Sequence, residues 1–337
     1  MMDTIYKLHN IVLQLFAGNT NVTTDSGLTD EMKTYYSDYL IDMAQPKLVH
    51  DQFGQKQPIP KNGGKTIEFR KYSPLPKATT PLTEGVTPNG QKLTMSVITA
   101  EVKQYGGYIE LSDILLLTAI DNNLVQATKL LGSQAGQTLD TITREVLNGG
   151  TNVQYAAGEV AARNLLVGGA ATGNHYLTVD AVRRAVRFLK TQNAEAIDGS
   201  FVAIIHPDVS YDLMSDPEWK YPHQYQDTEN LYEGEIGKIA GVRFVETTEA
   251  KKFAGAGKDG RDVYATLVLA DNAYGITDID GGGLQHIVKQ LGSAGTADPL
   301  NQRGTAGWKA IKTAERLVEQ YMVRIETCST FNDGVAN

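Results

Sequence analysis

The histidines, the lone cysteine and a few glycine-rich fragments are where chemistry would first be sought. The six histidines are His9, His50, His175, His206, His223 and His286. No two have the spacing of a helical zinc pair, and His206 and His223 fall on different segments. His206 precedes Pro207, and Asp208 and Ser210 follow, which is the composition of an acid–base–nucleophile set. Sequence neighbours form no triad without a separately positioned orienting group. A structural histidine at a strand end is the plainer reading. The fragment GAGKDG (Gly255 to Gly260) lacks the leading glycine and the Ser/Thr after lysine with which a P-loop cradles phosphate and magnesium, and GEIGKIAG (Gly234 to Gly241) fails likewise. DIDGGG (Asp278 to Gly283) has too few oxygen ligands for a calcium loop and no closing glutamate. No G-x-S-x-G elbow occurs. One cysteine, Cys328, excludes an intrachain disulfide and a multi-cysteine metal site; it reads as a small, half-buried residue. Asn21-Val22-Thr23 is a glycosylation sequon without secretory context. No catalytic residue, cofactor or metal is expected.

Composition bounds the class. The chain has 337 residues, enough for two or three domains, with 41% hydrophobic residues and a formal charge of -8. That balance argues against a general nucleic-acid binder, whose affinity comes from cation–phosphate contacts, and leaves room for a local basic face. The apolar run Ile11 to Ala17 is too short to span a bilayer and makes a poor signal peptide, so a cytosolic product is expected.

The elements are organised around Ser112 to Asn148, which reads as one long amphipathic helix. Ile120, Leu124, Ala127, Leu131, Ala135, Leu139, Ile142 and Val146 recur at steps of three or four. Ser112 is a good N-cap, and Gly149-Gly150 supply a stop. Such a helix would run about 55 Å, more than a compact domain of ordinary size needs. Before it, residues 1–28 read as an arm, and Thr29-Asp30 open a helix ended by Pro46. KTIEFRKY (Lys65 to Tyr72) alternates as a strand, with Ile67 and Phe69 on one face and Glu68 and Arg70 on the other. A second extended stretch runs from Leu93 to Leu111, and Gly106-Gly107 predict a bulge or bend. Between them, Ser73 to Lys92 holds Pro74, Pro76, Pro81 and Pro88 and has no helical period. A connector that long is usually functional or ordered by a partner, and its prolines keep it out of a sheet interior. It reads as the tip of a two-stranded arm whose Leu75, Leu82 and Val86 are most economically received by another subunit; a solvated loop is the alternative.

After the helix, Tyr155 to Gly173 reads as loop. Thr178 caps a helix Val179 to Gln192, with Val182, Ala185, Val186 and Leu189 inward and Arg183, Arg184, Arg187 and Lys190 outward. That cationic face could meet phosphate or an acidic neighbour; a solvated face is the commoner outcome. SFVAIIHP reads as a buried strand followed by a helix Asp208 to Met214. Gly241 to Thr247 is another strand, and Val263 to Ile276 is another with a turn near Asp271-Asn272. LQHIVKQ is extended, and Trp308 to Thr327 ends in a long returning strand. Strands alternating with helices indicate an α/β domain.

In this order, the parts resemble the Hong Kong 97-type fold of tailed-phage major capsid proteins. Local phrases carry the resemblance: PLTEG (Pro81 to Gly85), QYGGYIELSD (Gln104 to Asp113), IIHPDVSYDLMSDPEW (Ile204 to Trp219) and GEIGKIAGVRFVET (Gly234 to Thr247) look like the podovirus-type branch. The resemblance covers Asp30 to Thr327. It implies an α+β chain with an N-terminal arm (1–63), an extended β-hairpin loop (64–110), and a peripheral domain with the spine helix (111–172). An α/β axial domain (173–304) and a peripheral return strand with the C-terminus (305–337) follow. It implies a structural subunit, not an enzyme, self-assembling through hexamers and pentamers into an icosahedral head around double-stranded DNA. Implied inter-subunit contacts are Ile67, Phe69, Arg70, Leu75, Leu82, Glu84 and Val86. Implied partners are further copies of the chain, portal, scaffold and decoration proteins, and packaged DNA bound without sequence specificity; no membrane and no cofactor are implied. The implied location is the virion capsid, assembled in the host cytoplasm. Two alternatives stay open: a cellular nanocompartment shell of the same fold, and a soluble α/β enzyme using His206, Asp208 and Ser210.

Overall fold

The structure, a computed structural model, describes residues 48–58, 65–72, 75–87, 89–118, 123–170, 172–219, 235–277, 284–293 and 298–337. Of the expected N-terminal arm (1–63), residues 1–47, with the helix expected from Thr29, and 59–63 lie outside the described residues. The first half of the chain gives β1 Gln55–Gln57, β2 Thr66–Tyr72, β3 Met95–Glu101, β4 Lys103–Ser112, α1 Asp113–Thr118, α2 Asn123–Asn148, β5 Val153–Tyr155 and α3 Val179–Thr191. The second half gives β6 Phe201–Ile205, α4 Pro207–Ser215, β7 Glu235–Ile239, β8 Val242–Glu246, β9 Lys252–Phe253, β10 Val263–Leu269, β11 Tyr274–Thr277, β12 Leu284–Lys289, β13 Arg303–Lys312, β14 Ala314–Arg316 and β15 Met322–Thr327. Two compact units emerge. One contains Gly107–Gly132 and Gln285–Trp308; the other contains Ala44–Gly106, Ser133–Leu284 and Lys309–Asn337.

The larger unit is built on a seven-stranded sheet, ordered β5-β15-β10-β6-β8-β7 with β9 on β10. Every residue of β6, FVAII, is buried, because both faces of that strand are covered. Successive side chains point to opposite faces. Phe201, Ala203 and Ile205 join Val182, Val186 and Leu189 of α3 and Val209 and Leu213 of α4. Val202 and Ile204 join Leu147 of α2, Val49, Phe53 and Tyr274 on the other side. α3 forms as its pattern requires: Thr178 accepts the Ala181 amide at 3.3 Å, and the 3.6-residue stripe is buried. A second sheet, β1-β11-β14, adjoins this core.

The smaller unit holds the sheet ordered β12-β13-β4. Asp113 donates its amide to the Gln302 carbonyl (3.0 Å), and the Arg303 amide donates to Asp298 (2.7 Å).

Three sequence expectations change here. The helix expected from Ser112 to Asn148 is described as α1 and α2, with residues 119–122 outside the described residues, and it is its buried stripe that changes. Ser112 does cap, accepting the Leu115 amide at 3.2 Å, and the stop after Asn148 stands. Within α2, Ala127, Leu131, Ala135 and Leu139 are buried as the stripe demands. Further along, Ile142 and Val146 are only half-buried, while Thr143, Arg144, Leu147 and Asn148 are buried. The buried face shifts because polar partners, described below, draw it round. The stretch Leu93 to Leu111 breaks at Val102, not at Gly106: β3 pairs with β2, while β4 joins β13. The returning strand is likewise divided. β14 serves the sheet of β11, β15 serves that of β10 and β5, and a 3₁₀ turn at Glu319–Tyr321 lets the chain change sheets.

Candidate functional site

The two-stranded arm is the candidate site. β2 and β3 pair antiparallel, with Ile67 opposite Ala100, Phe69 opposite Ile98 and Arg70 opposite Val97. Alternation then assigns two faces. On one, Ile67 (5% exposed) and Phe69 (1%) close a small core with Ala100, Ile98, Val102 and Leu317. A Cβ on Gly275 would fall inside the Phe69 ring, so glycine there lets β11 and the ring meet. The arm is thus seated at its root by its own chain. Ile67 and Phe69 have no surface left for a neighbour, and the inter-subunit set narrows by those two.

The other face and the tip are open. Residues 75–87 and 89–97 are exposed throughout. Leu75 is 53% exposed, Leu82 77%, Val86 62% and Leu93 63%. Arg70 and Glu84 are exposed with them. A turn is closed by the Val86 amide on the Thr83 carbonyl (3.1 Å) with Gly85 at φ 75°, and Gln91 donates across the tip to the Pro76 carbonyl at 3.2 Å. Sequence reasoning missed Leu93, Met95 and Val97, although their shared parity in LTMSV marks one apolar edge. Exposed apolar side chains at this density on one segment are the mark of a surface meant to be covered.

The other candidates resolve into structural roles. His206 caps α4, accepting the Asp208 amide on Nδ1 at 3.2 Å. Asp208 accepts the Tyr264 hydroxyl (2.7 Å), and Ser210 donates to Pro207 O (2.8 Å) and Glu246 (2.9 Å). Ser210 therefore faces Glu246, and no Ser–His pair forms. Burial holds His206 below the ordinary histidine value, against the opposing pull of Asp208. Cys328 is wholly buried, and burial raises its thiol to about 11. Among the described residues no cluster of three or more His, Cys, Asp or Glu could hold a metal ion, and no helix is long and apolar enough to cross a membrane.

No local sequence pattern marks the buried ionic network in the larger unit. Asp140 accepts the His50 amide and lies 2.7 Å from His50 Nδ1. Asp51 accepts the Thr143 hydroxyl at 2.6 Å and pairs with Lys312, while Tyr274 donates to the His50 carbonyl. Residues 48–53 are thereby fastened to α2, which explains why it buries Asp140 and Thr143, while Arg144 is buried against the Glu249 carbonyl (2.9 Å). The partners lie 90 or more residues apart, beyond any local pattern.

Comparison with known proteins follows the same line. The phage capsid protein family matches residues 96–310. Among solved structures, the capsid of Ralstonia phage GP4 aligns at TM-score 0.63 and 14% identity, covering 82% of this chain and 86% of that one. The head structure of Helicobacter pylori bacteriophage KHP40 aligns at 0.61 and 10%, covering 83% and 88%. The capsid of cyanophage P-SCSP1u aligns at 0.58 and 14%, covering 83% and 87%. No curated protein matches the sequence. With a family match over more than half its length and a fold shared with these capsids, the chain belongs to the phage capsid protein family, as a structural major capsid protein of the Hong Kong 97-type fold.

Proposed function

We propose that this chain is the repeating subunit of an icosahedral phage head, assembling through hexamers and pentamers around double-stranded DNA in the host cytoplasm. The observation that carries the reading is the asymmetry of the arm. Its root is anchored in the chain's own core, while its tip offers Leu75, Leu82, Val86 and Leu93 to solvent. Fully covering side chains of this size is worth about 1.5–3 kcal/mol each, enough for several to drive association. Arg70 and Glu84 would add register through charge. Contacts of this arm-on-neighbour kind are heterologous and repeat around a closed shell. Segments 64–110, 111–172 and 173–304 are assigned the extended loop, the peripheral domain and the axial domain. Portal, scaffold and decoration proteins are further proposed partners. We infer no catalytic role: His206, Asp208 and Ser210 are accounted for by capping α4 and holding Glu246.

The test is a Leu75→Ala, Leu82→Ala double variant. Both side chains are exposed, so the isolated subunit should keep its thermal stability while assembly into shells falls sharply by sedimentation. Normal shell yield from that variant would remove the arm from the interface.

A further inference from the structure

The face of α3 that turns away from the core carries a feature the shell reading does not use. Arg183, Arg187 and Lys190 follow one another at steps of four and three, and all are exposed. At 1.5 Å per residue they form a row about 10.5 Å long. With Val186, Thr191 and Ala240 of the β7–β8 turn they line an open groove of about 430 Å³. Arg184, one residue away, is tied to Asp180 at 2.8 Å, and Arg183 shares Glu218 at 2.5 Å. That second pair is solvent-exposed on both sides and therefore weak and exchangeable. Arg187 and Lys190 have no ion-pair partner among the described residues. A cationic row with two unpaired members stands out in a chain of net charge -8.

We propose that this groove binds the phosphodiester backbone of duplex nucleic acid without reading its sequence. Phosphates of one strand step about 3.4 Å along the duplex axis while winding around it, so a straight row of about 10.5 Å meets at most about three of them. Guanidinium forks match phosphate oxygens in geometry as well as charge. The lining also disfavours a protein occupant. It has no aromatic side chain and only Val186 and Ala240 as apolar floor, whereas protein interfaces concentrate aromatics and shed lysine. Nucleic-acid interfaces are the strongly cationic ones. Three contacts make a weak site in one copy and a cumulative one across many, so each copy could release DNA while the assembly retains it. The inference rests on the shell reading only for the source of the duplex.

Titration of the full-length chain against a short fluorescent DNA duplex of arbitrary sequence, by anisotropy over a range of salt, tests it. The expected plot of log affinity against log salt has a slope of about -2 to -3, from about 0.9 per neutralised phosphate. Arg187→Gln with Lys190→Gln should flatten the slope by about two and weaken low-salt binding at least about tenfold, while Lys56→Gln with Lys258→Gln leaves both unchanged. No salt-dependent binding by the parent chain would overturn the proposal. So would an unchanged slope in the R187Q/K190Q variant, or a variant that binds DNA normally but loses assembly, which would assign the groove to a neighbouring copy. Normal shells from a chain that ignores DNA would sink this inference alone.

Discussion

At the residue scale, the buried pair Asp51–Lys312 is the most sensitive point in the larger unit. Both side chains are almost wholly removed from water, and Asp51 is further held by Thr143. Breaking such a pair strands a buried charge, at a cost of about 3–5 kcal/mol, whereas replacing both members by apolar groups of similar volume is often neutral. Asp51→Ala should therefore lower the urea midpoint markedly, and Asp51→Leu with Lys312→Met should recover most of the loss. Equal losses in the single and double variants would contradict this. The titratable groups with lowered values also act in one direction. Burial depresses His206 and His286, so the unfolded chain takes up protons first as pH falls below 6.5. Among the carboxylates, burial would raise Glu145 and Glu319. Lys251 and Arg144 outweigh it at Glu145, the Thr151 amide and Arg316 at Glu319, and Lys252 draws Asp333 down to about 2. Their stabilisation is complete above 4.5 and is lost as pH falls below it. Thermal melts should show Tm declining below pH 6.5 and again below 4.5; a Tm rising on acidification would refute the assignment.

At the element scale, the arm separates two kinds of residue that alternate in sequence. Phe69→Ala empties a ring packed on Gly275 and should cost about 3–5 kcal/mol of subunit stability, the usual range for a buried aromatic. Arg70→Ala, exposed on the other face, should leave unfolding unchanged. Indistinguishable melts for the two variants would undo the seated-root description. Much of this was legible beforehand. The parity of KTIEFRKY assigns the faces of β2, the prolines between Ser73 and Lys92 exclude the tip from a sheet, and α3 declares itself by its cap and stripe. What parity cannot say is whether a face is covered by its own chain or another. Ile67 and Phe69 look like contact residues until Leu317 and Gly275, more than 200 positions away, arrive beneath them. The division of the returning strand escaped for the same reason, since sheet membership is decided by partners distant in sequence.

At the scale of the whole molecule, a seated arm with an uncovered apolar tip suits a protein whose work is to meet copies of itself. The family match agrees. The measurement that tests this most directly is negative-stain microscopy with sedimentation on the chain, expressed alone and with the neighbouring head-assembly genes. Closed shells, or curved sheets of hexamers and pentamers, in either preparation are the predicted result. Only discrete small particles in both preparations would contradict it.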